Sequence, residues 1–272
     1  MDLIVIILLL LILLSVLYLY KRHKTYVLPY SVVVASCARN IESYLPIVLD
    51  KFKMIRRLFK TCNIIVYEND SNDNTRNILK QWHQNKIIKL ITADNVQGKR
   101  TQILAKSRQI LYEQSMQYKP DYFIVTDLDD VIVSLSENSI ISCFNITTEW
   151  AGLGANQTNY YYDLWALRTK DNWLKHDVWE CLRICQQKGA NCKRYEAPCF
   201  PELRTISMHS NIIPVDSCFG GTMIYNTKYL KNCNYGAGID AHNNEICEHV
   251  QFSKTITRNG GKLFINPAFI NK

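Results

Sequence analysis

The sequence has no long basic run, no low-complexity spacer and no internal repeat. Its 272 residues carry a net charge of +8, but the lysines and arginines are spread along the chain. A diffuse excess of this kind suits anionic substrates or a membrane surface, and it argues against a nucleic-acid partner. Paired Cys-x2-Cys knuckles are missing as well. Cys181, Cys185, Cys192 and Cys199 stand near His176 and His209, but their spacings do not build a zinc site. These four read as two disulfides in an oxidising compartment or as plain thiols in a reducing one.

What is present is a chain that should fold, with 47% hydrophobic and 21% charged residues. Leu3 to Tyr20 is apolar except for Ser15, and Lys21-Arg22-His23-Lys24 follows it. At about 1.5 Å per residue this run just spans a bilayer core. No small-residue cleavage site follows it, so residues 1–24 are expected to be a single-pass anchor with its basic flank. The flank places the remainder in the cytosol by the positive-inside rule. The cysteines and the triplets Asn69-Asp-Ser, Asn145-Ile-Thr and Asn156-Gln-Thr suit a lumen instead. Residues 25–29 form a short linker, and 30–272 remain for one large α/β domain with a Cys-rich insertion at 171–210.

The domain opens with a buried strand at Ser31–Ser36, followed by a helix in which Leu45, Val48, Leu49, Phe52, Ile55 and Phe59 recur at helical spacing. Asn63–Tyr67 is a second strand, ending in a Glu-Asn-Asp-Ser turn, and the next helix runs to about His83. Ile87–Thr92 is a third strand. The helix opened by Gln97-Gly-Lys-Arg-Thr101 has Ile103, Leu104, Ser107, Ile110 and Leu111 on one face. This β-α-β-α-β-α-β order predicts a mostly parallel, Rossmann-like sheet with helices on both faces. Trp150–Ala155 and Lys262–Pro267 are expected strands, Asp216–Tyr225 a glycine turn with a strand, and Glu245–Arg258 a helix stopped by Asn259-Gly-Gly.

The fourth strand carries the chemistry. Tyr122–Val125 is apolar and ends in Asp127, Asp129 and Asp130. Residues two apart on an extended chain point the same way, so Asp127 and Asp129 offer two carboxylates on one side. A Mn2+ or Mg2+ ion shared with substrate phosphates fits that pair. Ligands of parallel sheets bind beyond the carboxyl ends of the strands. Those ends carry Arg39, Glu68, Asp70, Arg100, Asp127 and Asp129.

Asp127-Leu-Asp129 resembles the D-x-D motif of GT-A glycosyltransferases. Tyr67-Glu-Asn-Asp-Ser-Asn-Asp-Asn-Thr75 and Tyr161-Tyr-Asp-Leu-Trp-Ala-Leu-Arg168 resemble blocks of the cryptococcal α-1,3-mannosyltransferase-like family. Glu248-His249 and Asn266-Pro267 resemble C-terminal elements of related eukaryotic and viral transferases. The resemblance implies a GT-A fold and transfer of a sugar from a UDP- or GDP-linked donor to a glycan or glycoprotein acceptor. It also implies roles: Asp127, Asp129 and His249 at a metal, and Arg39, Glu68, Asp70, Arg100 and Asp127 at the nucleotide-sugar. Glu248 and Asp130 are the implied catalytic carboxylates. The cryptococcal family retains anomeric configuration, and a retaining enzyme needs no base on the acceptor hydroxyl.

Two other readings share these residues. Ile124-Val-Thr-Asp-Leu-Asp-Asp-Val131 also fits the nucleophile motif of haloacid-dehalogenase phosphatases, but three strand–helix units precede it and no second paired-acid motif follows. A nucleotidyltransferase would want a glycine-rich loop where Cys37-Ala-Arg-Asn40 stands. A membrane-anchored binding module on a degenerate transferase fold is the non-enzymatic alternative.

Overall fold

In the first strand Val32 and Val34 face one apolar core, while Val33 and Ala35 face another. A strand buried on both sides belongs in the middle of a sheet covered by helices. The computed structural model describes residues 27–187 and 200–272. In chain order its main elements are β1 (Leu28–Ala38), α1 (Leu45–Leu58), β2 (Phe59–Asn69), α2 (Thr75–Gln84), β3 (Lys89–Ala93), α3 (Arg100–Met116) and β4 (Tyr122–Thr126). There follow α4 (Glu137–Phe144), β5 (Gly152–Asn156), β6 (Arg168–Thr169), α5 (Val178–Gln187), β7 (Ile213–Ser217), β8 (Thr222–Asn226), α6 (Glu248–Arg258) and β9 (Leu263–Ile270).

Among the described residues nine strands share one sheet in the order β3-β2-β1-β4-β8-β5-β9-β7-β6. The first four, β3-β2-β1-β4, are parallel, as the alternating strand–helix order demands. The other half is mixed, which corrects the expectation of a mostly parallel sheet. There β5 and β9 are parallel, while β8 runs antiparallel to both β4 and β5, and β7 antiparallel to β9 and β6. Parallel neighbours need a helix-length crossover. Only residues 218–221 separate β7 from β8, and β8 enters between β4 and β5 in the opposite sense.

Helices α1, α2 and α4 supply one core with Phe52, Ile55, Leu79 and Ile140. The opposite core takes Ala105, Leu111 and Tyr112 from α3, Phe252 and Ile256 from α6, and Val178 from α5. Within α3 the buried face differs from the expected one. Thr101, Ala105, Ser107, Arg108, Leu111, Tyr112 and Ser115 are buried. Ile103 and Leu104 line a cavity instead. The helix is rotated so that a charged residue, Arg108, lies under the sheet's polar rim.

The expected anchor, residues 1–24, lies outside the described residues, as do Cys192 and Cys199. Among the described residues no helix is long and apolar enough to cross a membrane.

Candidate functional site

The carboxyl ends of β1, β2 and β4 border a cavity of about 500 Å³ lined by Arg39, Asn69, Arg100, Arg108, Asp127 and Asp129, among others. A second cavity of about 380 Å³ shares Arg100, Leu104, Arg108, Asp127 and Asp129 with the first. It continues along Asp130, Tyr162, Asp163, Trp165, Trp179, Glu248, His249 and Lys272. The D-x-D acids therefore stand where two spaces meet.

Backbone geometry holds the acids there. The amide of Asp127 donates to the Gly221 carbonyl at 2.8 Å. Asp129 accepts from the Val131 amide at 3.3 Å, which caps the short 3-10 turn Asp130–Ile132. The Gly220-Gly221 turn has positive φ at both residues, and a Cβ on Gly220 would lie 2.2 Å from the Ala155 carbonyl oxygen. Glycine is required at that approach. The buried Asp163 accepts from the Gly220 amide at 3.0 Å, so the turn is tied down from both sides. Burial pushes the Asp163 carboxyl up to about 6, against the pull of the Gly220 and Ala166 amides.

Arg108 joins the site's two ends. It is only 4% exposed. Its Nη2 donates to Asp127 Oδ1 at 2.9 Å and its Nε to Glu248 Oε1 at 3.0 Å. The guanidinium also lies over the Phe219 ring, 4.9 Å from the centroid. Glu248 is the first residue of α6, where the helix dipole favours a carboxylate. Its side chain is 5% exposed, so without Arg108 its charge would be buried and unpaired.

His249 stacks on Phe219 with centroids 3.8 Å apart. Neither of its ring nitrogens has a hydrogen-bond partner. Burial, and then the positive charge of Arg108, holds its pKa well below the usual histidine value, so the imidazole is neutral. The carboxyl of Asp129 is pushed up, first by burial and then by the charge of Asp127.

Both ring nitrogens of His249 are buried, whereas Asp129, which has no basic partner among the described residues, stands beside the Arg108-paired Asp127 and offers a place for a divalent cation. Among the described residues no three His, Cys, Asp or Glu side chains are gathered so as to hold one alone. Substrate phosphate oxygens would complete the shell, as Mg2+ and Mn2+ sites commonly require.

The other expected site residues divide. Arg39 is exposed at the first cavity, and Arg100, at the start of α3, faces both cavities. Asp130 borders the second cavity and pairs with Lys272. Glu68 and Asp70 line neither. Glu68 is fully buried, bound to Arg76 and to the Ser71 amide. Asp70, at φ +50°, accepts from the amides of Asn95 and Val96 at 2.7 and 3.0 Å and so fixes the loop before α3.

Residues 31–133 match the family model of glycosyl transferase family 2. That segment runs from β1 to the turn after β4 and includes Arg100, Arg108, Asp127 and Asp129. No curated protein matches the sequence. Among solved structures the chain is similar to residues 1–349 of TarS from S. aureus, with a TM-score of 0.46 and 13% identity over 86% of this chain and 57% of that one. It is also similar to the mannosyltransferase PcManGT from Pyrobaculum calidifontis in complex with GDP-Man and Mn2+ (TM-score 0.45, 12% identity, 89% and 56% covered). A third is glucosyl-3-phosphoglycerate synthase from Mycobacterium tuberculosis with Mn2+, UDP and glucosyl-3-phosphoglycerate (0.42, 13%, 85% and 67%). The chain spans just over half the length of the first two.

Arg108 was not expected from the sequence, nor were Asp163, Trp179 and Lys272. Arg108 did leave a signal: it falls three residues after Ala105 and three before Leu111, a charge on the helix's buried stripe. For the other three, nothing local distinguishes them from ordinary loop and helix residues.

Proposed function

We propose that this chain is a metal-dependent glycosyltransferase of GT-A type, taking a hexose from a nucleotide-sugar and passing it to a glycan or glycoprotein acceptor. The match of residues 31–133 to glycosyl transferase family 2 supports the class. The observation that carries the mechanism is the placing of Asp127 and Asp129 at the junction of two cavities, with Arg108 linking Asp127 to Glu248. The first cavity takes the nucleotide, with Arg39 and Arg100 as cationic donors toward phosphate. The second takes the acceptor along Tyr162, Trp165 and Trp179.

Asp127 and Asp129 would hold Mn2+ or Mg2+ together with oxygens of the donor's diphosphate, while His249, with both ring nitrogens buried, does not gather with them. The ion would stabilise the charge that develops on the leaving group. Arg100 adds fixed positive charge on the same side. Glu248 borders the acceptor cavity as a carboxylate kept in place by Arg108, and it takes the proton of the attacking hydroxyl. Direct attack assisted by Glu248 would give inversion at the anomeric carbon, unlike the retention that the cryptococcal resemblance implies. Asp130, half-buried and paired with Lys272, has a lesser part at the cavity mouth. The chain is tethered to a membrane through residues 1–24.

The test is nucleotide release by the purified chain from UDP- and GDP-sugars with and without Mn2+. GDP-mannose comes first, because of the Tyr67–Thr75 and Tyr161–Arg168 resemblance. Release from one donor that needs metal and falls on the order of 100-fold in Asp129→Asn supports the reading. Hydrolysis of p-nitrophenyl phosphate without turnover of any donor would replace it with the phosphatase.

A further inference from the structure

The three Asn-x-Ser/Thr triplets are equivalent in sequence and differ sharply in the fold. Asn69 is 6% exposed at the end of β2, and its amide donates to Asp70 at 3.2 Å beside the first cavity. Asn156 is fully buried in β5, and its Nδ2 donates to the carbonyls of Ile206 at 2.9 Å and Pro267 at 3.0 Å. An oligosaccharide on either nitrogen could not coexist with these contacts. Asn145 is exposed at the C-terminus of α4, and its amide has no hydrogen-bond partner among the described residues. Thr147 is exposed too, in irregular chain.

The place is also clear of the candidate site. Phe144, the residue before Asn145, packs on Tyr30, Phe59 and Tyr122, which stand near the starts of β1, β2 and β4. Asp127 lies beyond the other end of β4. A glycan at Asn145 would project from the edge of the sheet opposite the two cavities.

Cysteine usage supplies an independent observation. Cys181 and Cys185 on α5 each take part in a disulfide. Structural disulfides persist in oxidising compartments and are rare in reducing ones. The free thiols of the described residues suit such a compartment. Cys143, Cys218, Cys233 and Cys247 are buried, and burial pushes the partly exposed Cys37 and Cys62 up to about 12. Thiols held protonated in this way are slow to oxidise.

We propose that Asn145 is an N-glycosylation site and that residues 27–272 fold on the lumenal or extracellular side of the membrane. In the transfer, Asn145 Nδ2 forms a bond to the anomeric carbon of an oligosaccharide linked to a lipid pyrophosphate. The anomeric C–O bond breaks, the lipid pyrophosphate leaves with the electron pair, and the amide loses one proton. Thr147 supplies the hydroxyl of the acceptor triplet. This inference does not depend on the transferase reading.

The test is cell-free translation of the full chain with microsomes, read by gel mobility before and after peptide-N-glycosidase. One glycan is expected, protected from external protease together with the domain. It should be absent in Asn145→Gln and in Thr147→Ala, two changes at exposed positions that leave the core untouched. No glycan on the wild-type chain, or a glycan that persists in both variants, overturns the proposal.

Discussion

Two arginines in this fold each bridge two carboxylates, and their surroundings give them different work. Arg76, on α2, pairs with Glu68 and Asp94, and also donates to the Ala93 carbonyl at 2.8 Å. Its side chain is 22% exposed, and neither of the carboxylates it holds lines the two cavities. Arg108 pairs with Asp127 and Glu248 and is almost wholly buried, and both of its carboxylates face cavity space. The first bridge ties the ends of β2 and β3 together. The second links Asp127 on one side of the cavities to Glu248, 140 residues beyond Arg108, on the other. The same chemistry therefore serves a turn in one place and the candidate site in the other.

Replacing Arg108 tests this difference most severely. Arg108→Met leaves Glu248 buried without a counter-charge, which costs about 3–5 kcal/mol of stability. Activity per folded molecule falls as well, since a misplacement of about 1 Å costs on the order of 100-fold. Arg108→Lys keeps the charge without the fork, so stability should largely return while activity stays low. Denaturant unfolding paired with donor turnover would separate the two effects. Full activity in Arg108→Lys would mean that the charge alone matters.

Arg76→Ala should behave otherwise. Glu68 loses its partner but keeps the Ser71 amide at 3.0 Å, so the expected loss is about 2 kcal/mol. Turnover, corrected for the folded fraction, should stay within about twofold of wild type, in keeping with a residue outside the transition state's contacts. If Arg76→Ala lost activity as heavily as Arg108→Met, the contrast between the two bridges would be void.

The sequence makes one bridge partly visible and hides the other. The Tyr122–Val125 run shows the strand, and the two-residue spacing shows that Asp127 and Asp129 share a side. Alternation in Ser31–Ser36 likewise reveals β1, because each face is buried against its own core. Arg108 is different: its partners come from β4 and α6, and only the packing of α6 across α3 brings Glu248 to it. Glu68 meets Arg76 in the fold, and a carboxylate in a strand-end turn reads the same in sequence whether it faces a ligand or a neighbouring arginine. The antiparallel entry of β8 is equally illegible, since a short apolar strand does not record which neighbours it will pair with. Two of the three glycosylation triplets are silenced by burial, which no triplet encodes.

Carboxylates that no arginine reaches extend the contrast. Asp129 is exposed at the cavity's edge, and partial desolvation and the charge of Asp127 raise it, so in screening solvent its charge opposes folding only weakly at neutral pH. Asp129→Asn should therefore be modestly more stable than wild type at pH 7 even as it loses activity. A folded-state pKa above the unfolded one means that the opposing charge is lost as pH falls through the folded value. The gain should accordingly shrink toward zero in acid, where wild-type Asp129 is protonated too. Melting curves across pH 3–8 would check it, and a stability loss at neutral pH would show that the capping bond to Val131 outweighs the repulsion.

The smallest effect belongs to Asp163, which holds the glycine turn on which Asp127 rests. Its folded pKa of about 6 exceeds the unfolded value near 3.8, so the folded protein binds this proton more tightly. Its contribution is greatest in acid and declines as pH rises through about 6, above which it is constant. Asp163→Asn removes that slope, at the cost of one of the two amide contacts, since its Nδ2 cannot accept. The difference in melting temperature between wild type and variant should widen below pH 6 and be flat above it. A flat difference throughout would mean that Asp163 stays ionised in the fold, with the Gly220 and Ala166 amides outweighing its burial.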